Sequence, residues 1–292
     1  MGLTKLTGRL AYYDPADTPR EVRHRYPLLG LRTTYSLSAG AEFYAGFSQA
    51  YRPQILKDVL PASALERTDP AIRDSRGWTL ETGLRGMIGS RVRYDVTAFE
   101  LRIGNRFGTL LQTDGSVTYL YRTNVGSSRT RGIELSAEGL LFRVGETSIR
   151  AHTATSWYDG RYRDGTVVSN GLNVAIAGNK VESVPEWITR SGLAVEGRRG
   201  SVQALVSHVS STFADPLNTV APSANGAIGR VPAYTVVDLN GAFQVVGWLR
   251  LRAGISNVFD KRYFTKRPQF YPGPGIWPSD GRAVQTTIEI RP

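Results

Sequence analysis

The side chains with the most chemistry to offer are arginines near the ends of alternating apolar segments: Arg52, Arg106, Arg122, Arg129, Arg131 and Arg267. Tyr271 and Trp277 supply flat aromatic walls in the last loop. Planar guanidinium forks pair with carboxylates through two parallel hydrogen bonds, and a rim rich in them concentrates anions. Taken singly, each arginine has a more ordinary role as a solvated loop charge or a salt bridge, so these residues carry weight only as a group. Other chemistries have less support. His24, His152 and His208 are scattered, and none has a partner at metal-ligand spacing. His152 and His208 lie mid-strand, with no serine motif nearby to mark a nucleophile. Without cysteine there is no disulfide framework, thiolate metal site or Cys nucleophile. The glycine-rich turns lead into strands, so they are connectors and not phosphate cradles. A non-enzyme is expected, with no metal centre and no cofactor of its own.

The elements that must position these groups read as β throughout. Leu249, Leu251, Ala253 and Ile255 alternate with Arg250, Arg252, Gly254 and Ser256, and Val284, Thr286, Ile288 and Ile290 alternate with Gln285, Thr287 and Glu289. A period of two lines one face of a strand with apolar groups and the other with polar ones. The same pattern sets Val92, Tyr94, Val96 and Ala98 against Arg91, Arg93, Asp95 and Thr97, and Ile133, Leu135 and Ala137 against Glu134, Ser136 and Glu138. Val237 and Leu239 oppose Asp238 and Asn240 in the same way.

About twelve strands are expected, over residues 5–13, 28–38, 41–51, 77–88, 91–103, 129–142, 147–158, 186–197, 201–212, 233–246, 248–258 and 282–290. Most reach the roughly 9–11 residues that a tilted strand needs to cross a bilayer. Tight glycine-bearing turns near residues 38–41, 88–91, 143–146, 197–200 and 246–247 alternate with long connections over 14–27, 52–76, 104–128, 159–185, 213–232 and 259–281. Short turns on one rim and long loops on the other are the layout of an antiparallel transmembrane β-barrel. Aromatics near strand ends (Tyr44, Phe47, Tyr51, Trp78, Trp157, Trp187, Trp248) suit an interfacial girdle. The net charge of +11 comes from basic residues dispersed singly on strands, such as Arg85, Arg93, Arg150, Arg190 and Arg252. Nucleic acid requires a basic patch, so it is not expected as a partner.

Four stretches carry a resemblance to a family. They are Tyr44 to Pro53; Arg122-Thr123-Asn124-Val125-Gly126 followed by Arg131-Gly132-Ile133-Glu134-Leu135; Asn257 to Tyr263; and Tyr271-Pro272-Gly273-Pro274-Gly275 with Gly281-Arg282 before the last strand. In this order they resemble the C-terminal barrel part of TonB-dependent outer-membrane siderophore receptors, most closely the ferric-citrate type. The resemblance covers roughly residues 30–290. It implies a plugged barrel of about 22 strands, of which residues 1–292 form the latter half, with plug, TonB box, signal peptide and first strands absent. The chain departs from the family by ending Arg291-Pro292 where an aromatic residue is usual. The implied partners are a ferric siderophore or citrate chelate, the TonB complex acting through the plug, and outer-membrane lipid around a monomer; iron enters only as cargo. The alternatives are a self-standing twelve-stranded channel and a non-functional truncated fragment.

Overall fold

The computed structural model describes residues 2–8, 20–55, 66–115, 117–268 and 275–291. The regular structure within them is all β. β1 (Gly2–Gly8) and β2 (Arg20–Tyr26) pair only with each other, as an antiparallel ribbon. β3 (Gly30–Ser38) and β4 (Ala41–Arg52) open the main sheet, and the three-residue β5 (Glu66–Thr68) follows. Next come the long strands β6 (Ser75–Ile88), β7 (Val92–Asp114), β8 (Val117–Val144) and β9 (Thr147–Ser169). The short β10 (Leu172–Ala175) precedes β11 (Trp187–Glu196) and β12 (Gly200–Val209). After β13 (Thr212–Phe213) and β14 (Arg230–Val231) come β15 (Tyr234–Val246) and β16 (Leu249–Ser256). β17 (Phe264–Lys266) and β18 (Trp277–Pro278) lie in the last connection before β19 (Ala283–Ile290).

Hydrogen bonding follows the path β19-β16-β15-β12-β11-β9-β8-β7-β6-β4-β3, an up-and-down antiparallel meander. β5 joins β8 in parallel and β10 folds back on β9. The ends of the path, β3 and β19, are not paired with each other. Eleven of the twelve expected strands therefore form the meander. The first, expected over 5–13, falls partly in the separate ribbon, and residues 9–13 lie outside the described residues. The expected long loops 104–128 and 159–185 are largely strand, because β7, β8 and β9 run on well past the alternating segments. Connections pack against that extension, covering Tyr162 and Val167 with Ile176 and Val181, so its side chains carry no simple period of two and only backbone pairing reveals it.

Register assigns each side chain to a face. Phe43, Leu84, Val96 and Leu135 are successive cross-strand partners, whereas Glu42, Arg85, Asp95 and Ser136 form the adjoining row on the opposite face. The apolar face is not a water-shielded core. Leu193, Leu239, Phe243, Leu251 and Ile288 are 36–68 % exposed, and only eight hydrophobic side chains are buried among the described residues. A contiguous apolar face of this extent needs lipid or a partner against it.

Two aromatic belts border that face. Tyr35, Phe43, Phe142 and Phe243 stand three or four residues from the tight turns, and all are at least 40 % exposed. Trp78, Trp157 and Trp187 stand eleven residues from the turns at Gly89, Glu146 and Arg198. Trp157 and Trp187 are direct cross-strand partners, and Phe47 lies 6.3 Å from Trp78. Eleven residues at ~3.3 Å each on a strand tilted ~45° rise about 25 Å, the height of a barrel's apolar band. Tyr44 corrects the expected girdle. It points to the polar face, where its hydroxyl donates to Asp95 Oδ1 at 2.7 Å and lies against Thr97 Oγ1. Its ring crosses β6 directly over Gly83, where a Cβ would come within 2.3 Å of the ring.

Candidate functional site

The polar face is a ladder of ion pairs between neighbouring strands. Arg85 meets Glu42 at 2.5 Å, Arg93 meets Glu138 at 3.8 Å, Arg150 meets Glu196 at 3.3 Å and Arg252 meets Glu289 at 2.7 Å. Such exposed pairs are worth at most about 1 kcal/mol each. What they secure is a hydrated wall that no lipid tail could cover. Near the tight-turn rim this wall holds a concavity of about 900 Å³ lined by Glu42, Arg85, Arg93, Asp95, Glu134 and Glu138.

The arginines singled out in the sequence divide into three groups. Arg106 lies on the polar face at the bulge in β7, beyond the apolar band. Its guanidinium sits 5.1 Å from the Tyr162 ring centre, 3.5 Å from Glu182 and 3.1 Å from Ser128 Oγ. Burial, then the hydrogen bond to Glu182, pushes the Tyr162 phenol up, so it remains a donor. Arg52, at the end of β4, lies 4.8 Å from the Phe107 ring, next to Arg106 in the chain. Arg122, on the same β7–β8 extension, pairs with Glu66 at 3.4 Å. These three gather at the long-loop end of β4–β8.

Arg267 and Trp277 belong to a second place. Arg267 donates to the carbonyl oxygens of Gly226 and Arg230, clamping the last connection to the one before it. Trp277 is 42 % exposed and lies 5.4 Å from Lys266 Nζ. Tyr271 lies outside the described residues. Arg129 and Arg131 are the third group, and they correct the expectation. In the β7–β8 register they share the face of Ile133 and Leu135, so they lie on the apolar side of the wall. The spacing itself carried this signal, since residues 129, 131, 133 and 135 have one parity.

The motifs have structural work. Asn257, 3 % exposed with φ of 51°, donates its backbone N–H to Asp238 and exchanges side-chain hydrogen bonds with Lys261. Asp260 then accepts from the Arg282 N–H, so Asn257–Tyr263 is a turn binding the end of β16 to β15 and to the entry of β19. The partners Glu66, Tyr162 and Glu182 were not legible in the sequence, because they lie outside the alternating segments, where no periodic pattern marks them.

Asp69 ties the β4–β6 connection to β8. Thr123 Oγ1 donates to it at 2.6 Å, and the Ala71 N–H donates at 2.8 Å. The Thr123 hydrogen bond in particular holds its carboxyl below the usual range. A depressed folded pKa means the tie is fully present above the unfolded value of about 3.9 and is lost as pH falls through the folded one. Protection of the Asp69 amide, which donates to the Arg122 carbonyl, is therefore expected to drop in hydrogen exchange below about pH 4. Asp69→Asn should abolish that step; an identical step in the variant would assign it to another group.

An antiparallel meander, apolar on one face and ion-paired on the other, with two aromatic belts and with short and long connections on opposite rims, defines a wall of a transmembrane β-barrel. A family model described as TonB dependent receptor-like, beta-barrel matches residues 7–258, and the chain belongs to that family. Solved structures with the same fold include the ferric citrate transporter FecA in its unliganded form, at 21 % identity and a TM-score of 0.71 over 94 % of this chain. The siderophore receptor PiuA from Acinetobacter baumannii matches at 17 % and 0.73 over 94 % of the chain, and the ferric yersiniabactin uptake receptor FyuA from Yersinia pestis at 19 % and 0.68 over 93 %. The chain spans about two fifths of their length, covering 40 %, 37 % and 38 % of them respectively.

Proposed function

We propose that residues 1–292 form one barrel domain, part of the wall of an outer-membrane receptor for a ferric siderophore or a ferric citrate-like chelate. The apolar face meets outer-membrane lipid and the polar face lines the lumen. The chelate is captured on the long-loop side, and import is energised in the whole protein by the TonB complex acting through a plug. The receptor works as a monomer and performs no chemistry on its cargo. The observation that carries this reading is Arg106 on the polar face at its long-loop end, with Arg52 and Arg122 on the neighbouring strand ends. A guanidinium has five donors, so Arg106 can hold Glu182 and Ser128 and still offer an edge to an incoming carboxylate. The unpaired ends of the meander favour part of a larger cylinder over a self-standing twelve-stranded channel, which would need them joined.

Outer-membrane fractions carrying the full-length protein are expected to bind ferric citrate or another ferric carboxylate chelate saturably, and to import it only when the TonB complex is intact. Absence of saturable binding across that chelate class would remove the reading.

A further inference from the structure

Three arginines stand side by side on the apolar face. Arg102 of β7 is the cross-strand partner of Arg129 of β8, Arg129 is the partner of Arg161 of β9, and Arg161 is bridged in turn to Lys180. Direct partners have Cβ atoms about 4.5–5.5 Å apart, and like charges so placed repel. The neighbouring row answers this only in part. Glu100 serves two cations, accepting from Arg102 at 2.5 Å and from Arg131 at 2.7 Å. Asp159 accepts from Arg161 at 2.8 Å, and Glu186 takes Lys180 at 2.5 Å. Arg129 meets no carboxylate among the described residues. The patch thus holds five cations, Arg102, Arg129, Arg131, Arg161 and Lys180, against three carboxylates.

Its height is as telling as its charge. Counted from the tight turns, Trp78, Trp157 and Trp187 mark the upper edge of the apolar band, and Arg102, Arg131, Arg161 and Arg129 follow within the next five residues of their strands. Arg102 lies 5.0 Å from the Trp78 ring centre, which fixes both groups on one face. Charges at this level, facing away from the lumen, sit where lipid headgroups begin. Planar guanidinium forks match phosphate oxygens, which lysine would meet only as a point charge.

We propose that the Arg102–Arg129–Arg161 row is a site for the phosphate of a lipid headgroup in the leaflet on the long-loop side. The inference rests on the membrane-barrel reading. A soluble anion would suit the same guanidiniums, but the Trp belt directly beneath them supplies an apolar wall for acyl chains, which favours the lipid-borne phosphate.

The test uses the full-length receptor purified in a mild detergent, as wild type, as Arg129→Gln and as the triple variant Arg102→Gln/Arg129→Gln/Arg161→Gln. The probes are phosphatidylethanolamine nanodiscs containing bis-phosphorylated lipid A or its dephosphorylated form, and inorganic phosphate alone. Wild type is expected to retain the phosphorylated lipid in native mass spectra, with binding weakened about tenfold or more in the triple variant and less in the single one. The dephosphorylated lipid should not distinguish the proteins. Because Arg129 holds no carboxylate, its single substitution keeps the question open even if the triple variant folds poorly. Equal retention by wild type and Arg129→Gln would overturn the proposal, as would inorganic phosphate binding as tightly as the lipid. Failure of the protein to enter the membrane fraction would instead sink the barrel reading beneath it.

Discussion

Leu193→Arg is expected to destabilise the barrel by about 2–4 kcal/mol, whereas Gln203→Arg on the neighbouring strand should leave it nearly unchanged. Leu193 lies five residues from the turn at Arg198, midway to Trp187 at the upper belt, and it is 46 % exposed on the apolar face. There a guanidinium would stand near the bilayer midplane, with Ala204 and Ala151 as its cross-strand partners and no counter-charge in that row. Gln203 faces the other way. Its partners are Ala194 and Asn240, in a row that also contains Arg150 and Gly254. Unfolding of the full-length protein from bilayers by denaturant would measure both. Equal penalties would mean that both faces meet one solvent, and the assignment of an outside and an inside would fail.

The second large effect concerns the ligand. Arg106→Gln should weaken ferric citrate binding by about 10- to 100-fold, the cost of one charge-assisted hydrogen bond. Arg131→Gln should leave binding unchanged, since its side chain is held by Glu100 on the opposite face. Arg106 is 26 % exposed at the side chain, set between the Tyr162 ring and Glu182, so its fork is already aimed before any chelate arrives. Preorganisation of this kind limits the entropy lost on binding. Isothermal titration with both variants decides the matter. A loss at Arg131 matching that at Arg106 would move the binding surface away from the lumen-side mouth.

Much of the wall could be read directly from residue order. Val92 to Ala98 against Arg91 to Thr97, and Ile133 to Ala137 against Glu134 to Glu138, assigned faces that the pairing of β7 with β8 reproduces. Within a tight hairpin even partners are countable: the turn after Ile88 brings Arg85 opposite Asp95. Across long connections the count fails. Arg150 with Glu196, and Arg93 with Glu138, depend on how far one strand slides against another before hydrogen bonds lock, and side chains near the turns do not encode that distance. The β7–β8 extension reads as loop for a related reason, because its half-buried side chains, covered in part by β5 and β10, form no apolar stripe to betray a strand.

The candidate site divides along the same line. That arginines would crowd the strand ends was visible at once, and so was the parity that puts Arg129 and Arg131 with Ile133. Whether a given guanidinium would face an anion, a glutamate or a lipid depended on register across β7, β8 and β9, and on loops carrying Glu66 and Glu182 back to the wall. Residue order alone determined the alternation, the tight turns and the family, because each is local along the chain. Only the tertiary structure decided which charges meet, because cross-strand neighbours lie tens of residues apart in the chain and their pairing is chosen by the sheet as a whole.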